Sequence, residues 1–350
     1  MSGLLSGLLL RRAGWVVDVY ERVESELSGR GAGIVAQAEL IERLRALGLP
    51  TAELGVQITT RKILDARGHF THSCRCPQVL TAWERVYRLL RDAFPPANYH
   101  RGRGLARFTQ DASKVTAHFS DGESIAADLL VGADGIRSKV RGMIGIEDQP
   151  KPVGMGIWRT VAKRPAEMDC SELYFGGPKY KADYTPISED LCYAFLLEEN
   201  LDRSYVGEGA RGAELKERGQ GYGGIWGQVR DSLADDAIVN YQWIEAICVE
   251  SPWYRGRTII IGDAAHACPP LIAQGAAMCA EDAVILAEML TSGSSVDEVL
   301  PAFMERRFPR VKMVLDNSLT LAEWEIHPET PGADPGRIMG QTLGALVAPA

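Results

Sequence analysis

The stretch TIIIGDAAHACPPLIAQGAAMCAEDA, residues 258–283, constrains the fold more than any other part of the chain. An apolar, β-branched run stops at Gly262-Asp263, and Gly275 opens a helical run that continues to Leu290. A strand of that composition is a buried one. A carboxylate at its end stands where parallel sheets deliver polar groups to a crevice. The start of the following helix carries partial positive charge, so the amides of Gly275, Ala276 and Ala277 favour an anion. The stretch LLVGADGIRSKVR has the same form, with Asp134 and Gly135 ending a second apolar strand.

The opening, MSGLLSGLLLRRAGWVVDVYER, supplies a third piece. A dinucleotide fold asks for strand, GxGxxG, helix, strand and an acidic residue at the second strand's end. Gly3 stands where the last glycine of that motif would let the helix pack closely on the sheet, and Gly7 helps one turn later. A helix over Leu4 to Ala13 ends at Gly14, Trp15 to Tyr20 reads as a buried strand, and Glu21 closes it about 20 residues on, as the motif asks. The preceding strand and first two glycines are not in the sequence. We expect the coding sequence upstream of Met1 to supply them. The alternative is a true loss, which would expose apolar strand edges and remove phosphate-facing amides.

Elsewhere, Glu39–Leu47 and Ala82–Phe94 read as helices, and residues 114–134 as two strands joined at Ser120-Asp121-Gly122. From Met155 to Trp243 the texture is strand-like, as in GIWRTVA, LCYAFLL and NYQWIEAI. The glycine-rich run at 207–224 is predicted to be a mobile loop or linker. An α/β pattern at both ends thus brackets a strand-rich middle, which predicts a doubly wound nucleotide-binding domain with a β-rich domain inserted into it.

Composition excludes several functions. A formal charge of −8 with no basic stripe argues against nucleic acid. The seven cysteines are scattered, and Cys74 and Cys76 lack CxxC spacing, so reduced thiols in a cytoplasmic protein are expected. The six histidines form no metal-binding pattern. The apolar run around Leu8 to Leu10 is too short to span a bilayer and lacks the flanks of a signal peptide.

Taken together, the three glycine-bearing stretches resemble those of the flavin-dependent aromatic hydroxylases, the single-component monooxygenases of the p-hydroxybenzoate hydroxylase type, over nearly the whole chain. DVYERVESELSGRGAGIVAQAEL is most similar to the 2,6-dihydroxypyridine hydroxylase branch. The resemblance implies an α/β fold: a Rossmann-like FAD-binding domain over residues 1–70, 95–150 and 255–320, an inserted β-rich substrate domain over 71–94 and 151–254, and a C-terminal tail over 321–350. It implies FAD as cofactor and NADPH or NADH as co-substrate. Gly3, Glu21 and Arg22 would lie at the adenosine half, Asp134 and Gly135 in a motif shared by flavin and pyridine nucleotide, and Asp263 at the ribityl and pyrophosphate. Pro270, Gly275, Ala276 and Ala277 would line the isoalloxazine. The implied reaction hydroxylates an activated aromatic or pyridine-type ring through a flavin C4a-hydroperoxide. The expected partners are a small aromatic or heteroaromatic substrate and O2, with no nucleic acid and no membrane, and a homodimer as candidate assembly.

Two departures from the family pattern stand out. Many relatives carry Asn at the Ala277 position, and an arginine usual at the start of a helix has no match near QVLTAWER. The missing start of the fingerprint and Ala277 keep a non-catalytic FAD- or nucleotide-binding relative as an alternative, and a flavin oxidase or reductase on the same fold is a further one. The catalytic residue is not assigned. His266, Tyr193, Tyr184 and His72 are candidates for taking a proton from a ring hydroxyl, and each reads equally as a packing residue. Arg159 could meet an anionic substrate or sit in a salt bridge.

Overall fold

The structure, a computed structural model, describes residues 1–27, 33–177, 181–200, 206–250 and 252–350. In chain order, α1 (Ser2–Arg12) leads to β1 (Val19–Glu21), β2 (Gly33–Ala36) and α2 (Ala38–Ala46). The long hairpin β3 (Val56–Asp65) and β4 (Phe70–Ala82) enters α3 (Trp83–Ala93). Next come β5 (Tyr99–Arg101), β6 (Leu105–Gln110), β7 (Val115–Phe119), β8 (Ser124–Ala127), β9 (Leu130–Gly132) and α4 (Lys139–Met143). The middle of the chain holds β10 (Lys151–Lys163), β11 (Ser171–Phe175), β12 (Lys181–Pro186), β13 (Leu191–Glu199), α5 (Arg211–Arg218), α6 (Gly224–Ser232) and β14 (Val239–Cys248). It closes with β15 (Tyr254–Arg255), β16 (Thr258–Ile260), β17 (His266–Ala267), α7 (Gly275–Leu290), α8 (Val296–Ile326) and α9 (Pro335–Ala345).

The parallel pairs expected of a nucleotide-binding domain are β1 with β5 and β9 with β16. Helices α1, α7 and α8 pack beside them. One core cluster joins Ile259, Ile260, Leu286 and Phe303, and another joins Leu5, Leu44, Leu90 and Phe94. The strand expected over residues 15–20 is shorter than its composition suggested, because its partner β5 pairs only with Val19–Glu21.

A nine-stranded sheet, in the order β17-β14-β10-β13-β12-β11-β3-β4-β2, forms the second layer. This departs from the boundary drawn at residue 70. β3 lies in this sheet, because it pairs in parallel with β11 and antiparallel with β4, whereas α3 packs against α1 with the nucleotide-binding layer. One face of the sheet is closed by α5 and α6 through Trp158, Tyr174, Tyr184, Leu215 and Trp226. The glycine-rich run at 207–224 is therefore largely helical, held by the buried Leu215 and Tyr222. The C-terminal segment is not a simple tail: residues 321–326 complete α8, and α9 packs back on it. Among the described residues no helix is long and apolar enough to cross a membrane, and no cluster of His, Cys, Asp and Glu could hold a metal.

Candidate active site

The three stretches picked out in the sequence converge at one junction. A Cβ placed on Gly3 would lie 3.2 Å from the Ala133 Cβ, so α1 approaches the end of β9 as closely as a glycine allows. Gly262 follows β16 with φ +61°, and a Cβ there would meet Ser2 Oγ at 2.4 Å and Cys279 Sγ at 3.1 Å. Only glycine fits that conformation and that space. The turn aims Asp263 into the crevice, where Cys279 Sγ lies 3.4 Å from its Oδ1. The protein packed behind Asp263 desolvates its carboxyl and raises it above the ordinary range, against the pull of His266 and Cys279.

Across the junction, α7 begins at Gly275 with no side-chain cap from Gln274. Its first ladder bond runs from Met278 N to Gln274 O, 2.9 Å. The amides of Gly275, Ala276 and Ala277 precede that bond, so they present the helix's partial positive charge. Ala273, just before, has φ +57° and is the only non-glycine residue with positive φ among the described residues.

A buried ionic network supports this arrangement from behind. Asp282 Oδ2 accepts from Gly262 N at 2.8 Å and faces His266 Nε2 at 2.6 Å. Asp282 Oδ1 accepts from Arg307 Nε at 2.8 Å, and Glu281 accepts from both Arg307 and Arg310. Burial would raise Asp282, but His266 and Arg307 outweigh it and hold its carboxyl at about 2. His266 is therefore not in the crevice. It is buried, turned to Asp282 and packed on Trp253 with ring centroids 5.2 Å apart. The sequence signal for this network was the adjacent Glu281-Asp282 pair in the mostly apolar first half of the helix, which requires buried cations from elsewhere.

The second strand end is closed on itself. Asp134 accepts from Ser138 Oγ, from Lys139 N at 2.7 Å and from Val140 N at 3.1 Å, so it shapes the loop after β9, where Gly135 has φ +79°. Arg141 joins this loop to the Asp263 turn. It is buried and donates to the carbonyls of Ile136, Asp148 and Ala264. Sequence reading passed over it. Glu21 ends β1 and accepts from Val23 N at 2.9 Å, and Arg22 beside it is exposed. Pro270 is exposed at the crevice. The Ala277 side chain is buried in a cluster with Met278 and Val314.

The other face of the nine-stranded sheet is covered by the end of α8 and by the loop that carries Pro270. Leu271 and Ile272 of that loop pack on Ile157, Leu197 and Leu321. Residues directly opposite on neighbouring strands share a face, and the register aligns Arg159, Phe195 and Asp183 across β10, β13 and β12. Tyr193 lies two residues from Phe195 and so is on the same face, with its ring against Gly33. Arg159 donates to Gln242 Oε1, while its buried Nε has no partner among the described residues. Tyr184 points the other way, into the cluster under α5 and α6, where burial and Glu172 push its hydroxyl far up. It cannot meet a ligand in the crevice. His72 is exposed on β4.

A family model described as FAD binding domain matches residues 1–176 and 229–318. The chain belongs to the FAD binding domain family. YetM of Bacillus subtilis, a family relative assigned as an FAD-dependent monooxygenase, is 31% identical over 99% of this chain and 96% of its own length. The 2,6-dihydroxypyridine 3-monooxygenase of Paenarthrobacter nicotinovorans is 29% identical over 88% of this chain and 85% of its own. Among solved structures, 2,6-dihydroxypyridine-3-hydroxylase from Arthrobacter nicotinovorans superposes with a TM-score of 0.85 at 24% identity, covering 97% of this chain and 93% of that one. Klebsiella pneumoniae HpxO, complexed with FAD and uric acid, superposes at 0.86 with 21% identity, covering 98% and 94%. The residues present fit the FAD the family binds. The uncapped start of α7 suits an anionic group, the Gly262 turn gives close backbone approach, and Asp263 can accept from hydroxyls.

Proposed function

We propose that this chain hydroxylates a small, electron-rich aromatic or pyridine-type ring that already bears a hydroxyl, using FAD, NADPH or NADH, and O2. As a member of a family whose relatives here are flavin-dependent monooxygenases, it is an oxidoreductase of that kind. Bound FAD supplies the redox chemistry, accepting a hydride and activating oxygen. The chain's own residues do the rest. Asp263 holds flavin hydroxyls, the amides of Gly275 to Ala277 stabilise negative charge on the ring system, and Glu21 takes the adenosine ribose. Gly3 lets α1 approach, and Arg22, Asp134, Gly135 and Pro270 complete the walls.

The observation that carries this reading is the meeting of Gly3, Gly262 and the uncapped start of α7 opposite a sheet face bearing Arg159, Tyr193 and Asp183. A cofactor crevice beside a partly polar, partly aromatic wall is how an enzyme orients one ring and keeps water away from it. A cytoplasmic setting agrees with the NAD(P)H requirement and with seven cysteines that are all free. A homodimer remains our expectation for the assembly, to be read from light scattering after gel filtration. The test of function is NAD(P)H consumption by FAD-loaded protein over a panel of phenols and hydroxypyridines. Stimulation by hydroxylated rings and not by benzene is expected. Equal oxidation with and without any ring would favour an oxidase.

A further inference from the structure

Asp183 is a buried carboxylate in search of a partner. It lies mid-strand in β12 and is 3% exposed. Its hydrogen bond within the fold is a long one, from Thr185 Oγ1 at 3.4 Å. The nearby cations are committed elsewhere. Arg61 on β3 donates to Ser171 Oγ at 3.1 Å, and Lys181 on β12 pairs with Glu325 of α8. Among the described residues Asp183 forms no salt bridge. Across the same face, Arg159 has a buried Nε with no partner among the described residues, and Tyr193 is buried on the neighbouring strand β13. A buried carboxylate without close pairing is costly unless it meets a donor. Here an acceptor and two donors share one face of the sheet, the face on which Leu271 and Ile272 of the Pro270 loop pack at Ile157 and Leu197.

We propose that Asp183 accepts the proton of the substrate's ring hydroxyl, while Arg159 and Tyr193 hydrogen-bond the oxygen left charged. The proposal rests on the ring-hydroxylase reading above. In this step the ring O–H bond breaks and a carboxylate O–H bond forms on Asp183. The electron pair stays on the ring oxygen and spreads to the carbons beside and opposite it, where an electrophilic oxygen adds. No electrons are exchanged, and the proton leaves to solvent as product departs. The surroundings suit the task. Burial pushes Asp183 up to about 6, against Arg61, Lys181 and the Thr185 hydroxyl, with Glu172 of β11 adding to the rise. Among the described residues, Cys76 of β4, Arg159 of β10, Tyr193 of β13 and, beyond Lys181, Glu325 of α8 lie on the same face. A base poised near working pH is the efficient kind.

The test compares FAD-loaded wild type, Asp183→Asn and Asp183→Glu on 2,6-dihydroxypyridine, following labelled product from about pH 5 to about pH 9. Flavin content and thermal unfolding are measured in parallel, to show that each variant is folded and loaded. Expected for wild type is a kcat/KM that rises with pH through about 6, as the base ionises. Asp183→Asn should lose that limb and about 100-fold in product formation, and Asp183→Glu should keep the limb. Labelled product from Asp183→Asn with an unchanged limb overturns the assignment and leaves the hydroxylase reading standing. Failure of wild type to act on this ring counts against Asp183 as acceptor for hydroxypyridines. Absence of labelled product from every ring of the wider panel overturns the hydroxylase reading itself.

Discussion

Asp282 holds Gly262: a carboxylate buried in the second turn of α7 accepts the amide of the turn that aims Asp263, at 2.8 Å. The same carboxylate takes a hydrogen bond from Arg307 on α8. The turn that carries Asp263 is thus held by an ion pair buried behind it.

This coupling gives an acid limb to stability. The folded carboxyl of Asp282 sits at about 2, below its ordinary 3.8, so its contribution is complete above about pH 4 and is lost as pH falls through about 2. A gap of nearly two units is worth about 2 kcal/mol. Asp282→Asn should lose this pH dependence and be destabilised by about 3 kcal/mol at neutral pH, because Arg307 stays buried beside a neutral amide. Urea unfolding between pH 5 and pH 2 reads both effects. An identical acid slope in wild type and variant would remove Asp282 from the account.

Asp263 should separate cofactor binding from folding. Its carboxylate faces the crevice and, apart from the Cys279 thiol, has no protein hydrogen bond among the described residues. Asp263→Ala should therefore weaken FAD retention by about ten- to a hundredfold, the cost of a lost charged hydrogen bond, with little change in unfolding. Flavin content that survives dialysis as in wild type would place Asp263 outside the site.

Ala273 carries backbone strain in the loop before α7, with φ +57°. An alanine in the left-handed region costs roughly 1–2 kcal/mol relative to glycine. Ala273→Gly should raise stability by about 1 kcal/mol, and an unchanged or lower urea midpoint would show that the neighbouring contacts already relieve the strain.

The parts of this fold legible in the sequence are those whose cause is local. Gly262-Asp263 ends β16, and Gly275 opens α7, where an apolar run and a glycine said they would. The inserted β-rich region was legible in the same way. The rest depends on distant partners. β3 joins the large sheet through a parallel pairing with β11, more than a hundred residues away, which no local period announces. Asp183 was invisible for another reason: every residue of β12 is buried, so the strand lacks the alternation that marks an inward polar group. Tyr184 was drawn into the candidate list by proximity in sequence, although one residue's shift along a strand places it on the opposite face. Arg307 and Arg141 read as ordinary surface arginines until the carboxylates and carbonyls they serve come into contact.

The most direct measurement is the fate of labelled O2. FAD-loaded protein, NADPH or NADH, and a panel of phenols and hydroxypyridines are incubated under labelled oxygen, and products are weighed by mass spectrometry. The account predicts one labelled oxygen atom inserted beside or opposite an existing ring hydroxyl, with peroxide alone from benzene. Peroxide without labelled product from every hydroxylated ring would contradict it.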